Sequence, residues 1–174
     1  FYLLDQSESI PRPTREAMLN YVVREVQTHR RTSVQGQGGD RPGVIIFGRE
    51  ALIESPPFDD EIRSIGKLDS IVDLRTDATN IAAALKQAQA SFPEDTAKRI
   101  VIVSDGNENL GDARTIARSL VEQGIGIDVL PVPLPDRPEI AVEAVRLPPD
   151  IRRGTPSEVR VVVNNFKQSS SEEG

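Results

Sequence analysis

Residues 99–106 read RIVIVSDG, and this run constrains the fold more than any other feature of the chain. Ile100, Val101, Ile102 and Val103 leave no polar face, and all four are β-branched. A strand of that kind is expected where both of its faces are covered, at the centre of a parallel sheet. Parallel neighbours need crossover connections long enough to carry helices. The rest of the chain should therefore alternate strands with amphipathic helices.

It reads that way. FYLLD opens the chain as a strand, followed by a helix over residues 14–28. Met18, Leu19, Val22 and Val26 fall on one face of that helix and Arg15, Arg24 and Glu25 on the other, with Thr14 as the expected N-cap. VIIFG and ALIES, three residues apart or fewer, predict a hairpin whose second strand lies at a sheet edge and stops at Pro56 and Pro57. A short helix is expected over residues 59–65, ending at Gly66, and a longer one over residues 80–90. In the longer one Ile81, Ala84, Leu85 and Ala88 recur at helical spacing. A helix over residues 112–123 would turn Ala113, Ile116, Ala117, Leu120 and Val121 inward and stop at Gly124. IGIDVLPVP is the last strand of this unit. The expected fold is α/β, with a doubly wound, mostly parallel central sheet and helices on both faces.

The 174 residues suffice for one full domain and a short piece of another. The first unit is placed at residues 1–134. Residues 135–174 form a Pro-rich linker and two alternating runs around a Pro/Gly turn, then the polar end SSSEEG, expected to be disordered. They read either as the opening hairpin of a truncated β-sandwich, starting near Glu139, or as an extension of the first unit. A net charge of −6 argues against nucleic acid and anionic lipid as partners. The HRR cluster at residues 29–31 is too short to reverse that sign and decorates a helix C-terminus. With no cysteine, disulfides, thiolate metal sites and cysteine nucleophiles are excluded. No apolar run approaches the ~20 residues of a membrane span, and no signal-peptide pattern is present. The chain opens on Phe1 inside a strand, which reads as an excised piece whose flanks would hold any targeting or membrane segment.

The chemistry gathers at strand ends. In a doubly wound sheet, ligands collect outside the carboxyl ends of the strands where strand order reverses. Asp5 ends the first strand and Asp105 ends a later one, so both carboxylates should reach one edge. Asp5, Ser7 and Ser9 alternate, and an extended segment points every second side chain the same way. Thr79 opens the helix between them. Carboxylate and hydroxyl oxygens suit Mg²⁺ or Mn²⁺, and no soft ligand accompanies them. Taken singly, Ser7, Ser9 and the Asp105-Gly106 pair also read as ordinary turn residues. SVQGQGGDRPG, residues 33–43, precedes a strand and lacks phosphate-binding spacing, so it reads as a surface loop.

DQSES after the first strand, Thr79 ahead of NIAAAL, and VSDG at a later strand end occur in the order that resembles a von Willebrand factor type A domain. The resemblance spans residues 1–132 and implies the Rossmann-like fold of that family with a metal-ion-dependent adhesion site. Carried over by motif, Ser7, Ser9 and Thr79 would ligate a divalent ion, Mg²⁺ or else Mn²⁺ or Ca²⁺, through their hydroxyls. Asp5 and Asp105 would ligate it directly or through water. The resemblance further implies an open coordination position for the Asp or Glu of a protein partner, and a binding role rather than an enzymatic one. DxSxS with SDGxEN is similar to bacterial, membrane-anchored members, some of which work beside AAA-type ATPases. Anchoring would then lie outside these residues.

Other readings stay open. Asp5 could serve as the nucleophile of a Mg²⁺-dependent hydrolase or phosphatase, though Ser7 stands where such an enzyme usually has its acid-base carboxylate. The site could also be unused in a structural spacer. Thr76 competes with Thr79 as the loop threonine, with Thr79 preferred for its spacing to the helix. Glu8 and Asp77 add negative charge nearby, and Glu8 is expected to tune partner choice. His29 reads as a solvated or capping residue. NENLGDA, residues 107–113, leads into the Asp112 cap or rims the metal site.

Overall fold

The computed structural model describes residues 1–31, 39–57, 73–94, 96–134, 140–148, 154 and 158–165. The expected helix over residues 59–65, most of the glycine-rich loop and the SSSEEG end lie outside the described residues. The chain divides into two compact units, Phe1–Leu134 and Pro135–Gly174.

Unit one is built on a five-stranded sheet. Its elements are β1 (Tyr2–Asp5), α1 (Arg12–His29), β2 (Val44–Phe47), β3 (Ala51–Ser55), α2 (Ile81–Ser91), β4 (Arg99–Ser104), α3 (Ala113–Glu122) and β5 (Gly126–Pro131). Strand order is β3-β2-β1-β4-β5. β1 pairs in parallel with both β2 and β4, and β4 pairs in parallel with β5. β3 alone runs antiparallel, returning from β2 as a hairpin at the edge.

The side-chain alternation of these strands feeds two cores. Leu3, Ile45, Phe47, Ile100 and Ile102 face α2 and α3 and pack with Ile81, Leu85, Ala88 and Leu120. Leu4, Val44, Ile46 and Val103 face the other way and pack with Met18, Leu19, Val22 and Val26 of α1. The result is the three-layered, doubly wound sheet expected from RIVIVSDG. Each fully buried Leu, Ile or Phe contributes about 1.5–3 kcal/mol relative to exposure.

Two local expectations are corrected. Helix α1 begins at Arg12 rather than Thr14; Pro11 holds the N-cap position and no side chain caps it. Pro13, lacking an N–H, sits where the first turn has no intrahelical partner to offer, and the Arg15 N–H closes the turn on the Pro11 carbonyl at 3.0 Å. Val121 is 58% exposed. It lies roughly 90° around the helix from the centre of the Ala113, Ile116, Ala117, Leu120 stripe, beyond the reach of the sheet.

Unit two, among its described residues, is an antiparallel hairpin of β6 (Ile140–Arg146) and β7 (Arg160–Asn165), with a bulge between Val142 and Ala144. The bulge restores one facing so that Val142 pairs with Val163 and Val145 with Val161.

Candidate metal centre

The chain leaves β1 toward β2 on one side of the sheet and returns to β4 on the other. The crevice between the carboxyl ends of β1 and β4 is therefore the topological switch point, and Asp5 and Asp105 both arrive there.

Asp5 is fully buried. The Ser7 N–H donates to its Oδ1 at 2.9 Å and the Ser104 hydroxyl donates to its Oδ2 at 2.6 Å. Burial pushes the Asp5 carboxyl above its ordinary value of 3.8; the bonds from Ser104 and Ser7 oppose the rise, and the charge of Asp105 adds to it. Such a carboxylate is stabilised by a nearby cation.

The loop after Asp5 is held from both sides. The Gln6 N–H donates to the Phe47 carbonyl at 2.8 Å, and Arg15 of α1 donates through Nη1 to the Gln6 carbonyl at 2.7 Å. Ser7 is buried and Ser9 exposed, yet their hydroxyl oxygens stand 2.9 Å apart. Adjacent oxygens of an octahedral Mg²⁺ shell, at ~2.0–2.1 Å from the ion, are separated by about 2.9 Å. The two hydroxyls meet because the chain turns after Ser7, with the Ile10 N–H donating to the Ser7 carbonyl at 3.1 Å, and not through the alternation of an extended segment that the sequence suggested.

Thr79 is buried and immediately precedes Asn80, the N-cap of α2. Thr76, its competitor, donates its hydroxyl to Glu8 Oε1 at 3.2 Å, and the Glu8 N–H donates to the Thr76 carbonyl at 2.8 Å. Asp77 is paired with Arg49 at 2.6 Å, so its charge is locally offset. Asp105 is half-buried; Asn107 donates to both of its carboxylate oxygens, at 3.0 and 3.1 Å. Each of these oxygens retains a second lone pair.

The two carboxylates and three hydroxyls are oxygens of the kind a hard divalent cation takes. Among the described residues no group of three or more His, Cys, Asp or Glu side chains is placed to hold a metal ion, so a site here would draw on oxygens beyond those of carboxylates. His29 is remote: it ends the 18-residue α1, roughly 27 Å along the axis from its start, and contacts Glu25 at 3.1 Å.

Sequence reasoning gave Ser104 no role of its own and took Glu108 and Asn109 only as part of NENLGDA. Ser104, 2% exposed, is the one polar residue closing the apolar run of β4, which is the signal that could have found it. Glu108 accepts backbone N–H groups from Ala82 and Ala113, and Asn109 accepts the Thr79 N–H at 2.9 Å. NENLGDA thus both leads into the Asp112 cap and touches the Thr79 segment.

Known proteins agree with this architecture. A family model of the von Willebrand factor type A domain matches residues 1–108. The chain is similar to the crystal structure of an aerotolerance-related membrane protein from Bacteroides fragilis carrying multiple mutations to serine. Identity is 29% and the TM-score 0.62, covering 92% of this chain and 79% of that one. A conserved hypothetical protein, BatB, from Bacteroides thetaiotaomicron is 25% identical with a TM-score of 0.63, covering 95% and 79%. Proximal thread matrix protein 1 from the mussel byssus, whose adhesion-site motif holds zinc, shares the fold at 22% identity and a TM-score of 0.59, over 74% of this chain and 36% of its own. No protein of curated function matches significantly. With the family's domain matched across the sheet, from β1 through β4 and the loop that follows it, the chain belongs to the von Willebrand factor type A domain family.

Proposed function

We propose that unit one is a divalent-cation-dependent protein-binding module rather than an enzyme. The observation that carries this reading is the pair of Ser7 and Ser9 hydroxyl oxygens, 2.9 Å apart, on the loop that follows the buried Asp5, whose Oδ1 accepts the Ser7 N–H and whose carboxyl feels the charge of Asp105. Asp5, Ser7, Ser9, Thr79 and Asp105 would hold Mg²⁺ or Mn²⁺, and the ion would supply an electrophilic point for an incoming oxygen. Two carboxylates nearly cancel a divalent charge, and hydroxyl ligands keep the ion receptive to one anionic oxygen. The partner would present an Asp or Glu side chain.

The chain's own residues support binding over hydrolysis. Ser7, not a second acid, sits two residues beyond Asp5, and its N–H is spent on Asp5 itself. Glu8 stands exposed at the rim, tied to Thr76, where its charge would select among acidic partners within a Debye length of ~8 Å. Likeness to a membrane protein of B. fragilis supports a membrane-associated setting. No helix among the described residues is long and apolar enough to cross a membrane, which leaves anchoring to other segments in this proposal.

Calorimetric titration of the chain with Mg²⁺ and Mn²⁺, beside an Asp5→Ala, Ser7→Ala double variant, tests the reading. One saturable site per chain, lost in the variant, is expected. A repeat with a glutamate-containing peptide should tighten metal binding. If neither ion binds with or without the peptide, the five residues form a polar turn and the proposal fails.

A further inference from the structure

Residues 108–111 hold together the two segments that carry Thr79 and Asp105, although none of them is a candidate ligand. Glu108 accepts the Ala82 N–H, in the first turn of α2, on Oε1 at 3.0 Å. It accepts the Ala113 N–H, the first residue of α3, on Oε2 at 2.8 Å. One carboxylate thereby satisfies an orphan donor at the start of each of two helices. The next residue grips Thr79 itself. Asn109 Oδ1 accepts the Thr79 N–H at 2.9 Å, while the Thr79 carbonyl accepts from the N–H groups of Asn109 and Leu110 at 3.1 and 3.2 Å. Both backbone polar groups of Thr79 are therefore committed to the loop that begins at Asp105.

Gly111 makes the approach possible. Its φ is +103°, and a Cβ there would stand 2.8 Å from Asn80 Oδ1 and 2.9 Å from Ala82 Cβ. The loop is pressed against the start of α2 more closely than a side chain at this position permits.

We infer that Glu108 and Asn109 are positioning residues of the metal centre, setting where Thr79 lies relative to Asp105. The inference rests on the metal reading proposed above. A donor set drawn from three separate chain segments binds an ion only as tightly as those segments are preorganised, and removing groups that orient ligands costs metal sites about 10–100-fold in affinity. A purely structural clamp would behave differently. Its loss would lower the melting temperature and leave the metal affinity of the folded chain unchanged.

The experiment compares the parent chain with Asn109→Ala, Asn109→Asp and Glu108→Gln. Each is titrated calorimetrically with Mn²⁺ at a temperature where circular dichroism shows it folded, and melted separately in EDTA. Asn109→Ala and Glu108→Gln should weaken Mn²⁺ binding about tenfold or more. Asn109→Asp keeps the acceptor for the Thr79 N–H and should bind within a few-fold of the parent. Unchanged Mn²⁺ affinity in Asn109→Ala, with only the melting temperature lowered, overturns the inference while the metal reading stands. So does an Asn109→Asp variant as weak as the alanine variant. Failure of the parent to bind Mn²⁺ overturns both. Should Glu108→Gln not fold, the Asn109 pair decides alone.

Discussion

The Ser104 hydroxyl donates a 2.6 Å hydrogen bond to Asp5 Oδ2, joining the carboxyl ends of β1 and β4 across 99 residues of sequence. The same hydroxyl oxygen accepts the Gly106 N–H at 3.0 Å. One buried side chain thus orders both the carboxylate of the first loop and the backbone that follows Asp105. Removing it should leave Asp5 buried with one donor fewer. Ser104→Ala is expected to cost about 1.5–3 kcal/mol, the range for a hydrogen bond to a charged group. Urea unfolding in EDTA measures it; a loss below ~0.5 kcal/mol would mean that water replaces the hydroxyl.

Gly48 lies in the turn between β2 and β3, where a Cβ would stand 2.4 Å from the carbonyl oxygen of Arg75. The obstacle is backbone, and it is anchored: Arg49 N–H donates to that same carbonyl at 2.8 Å. Asn80, next to Thr79, donates its N–H to the Gly48 carbonyl at 2.8 Å. Gly48→Ala should destabilise the chain by about 1–3 kcal/mol, as overpacking does elsewhere. It should also weaken divalent-cation binding, because the displaced segment leads directly to Thr79. Chemical denaturation and metal titration on one preparation would show both effects.

Asp40 accepts the Arg31 N–H at 2.9 Å and pairs with the Arg31 guanidinium at 3.4 Å, which holds its carboxyl below the ordinary 3.8. A depressed carboxylate adds stability above the unfolded-state value and loses it as pH falls through the folded one. The parent should therefore melt higher than Asp40→Asn near neutral pH, with the gap closing below pH 3.8. The side chain is more than a third exposed, so the gap should be small and shrink further in salt. A gap that widens toward acid would contradict this assignment.

Leu120 and Val121 are neighbours in sequence with opposite environments, 0% and 58% exposed. Leu120→Ala should cost about 2–5 kcal/mol by opening a cavity under α3. Val121→Lys should change stability by no more than about 0.5 kcal/mol. Thermal melts of the two variants test the rotation of α3 on the sheet; comparable losses would place the helix differently.

Much of the architecture was legible because its signals are local. RIVIVSDG announced a strand covered on both faces, and β4 is flanked by β1 and β5 with both cores against the sheet. Asn80 and Asp112 mark helix starts, and each side chain accepts an N–H three residues on. The start of α1 was misread because a polar Thr14 looks like a cap, whereas Pro11 and Pro13 place the first turn earlier by their fixed φ. Val121 was misplaced because one apolar residue at the edge of a stripe has no local signal saying how far the sheet extends.

The amino-acid order alone determined which residues could serve a hard cation, whereas the meeting of the Ser7 and Ser9 hydroxyls comes from a turn that the alternation of an extended segment does not describe. It also determined the family, through DQSES, the Thr79 helix and VSDG taken in order. Only the tertiary structure decided what surrounds them. Ser104 beneath Asp5, Asn109 on Thr79, Glu108 on the start of α2 and Glu8 on Thr76 are contacts between segments 26 to 99 residues apart. Such contacts arise from the parallel crossover that sets β1 beside β4, and no pattern within a short window encodes which loops that crossover will bring together.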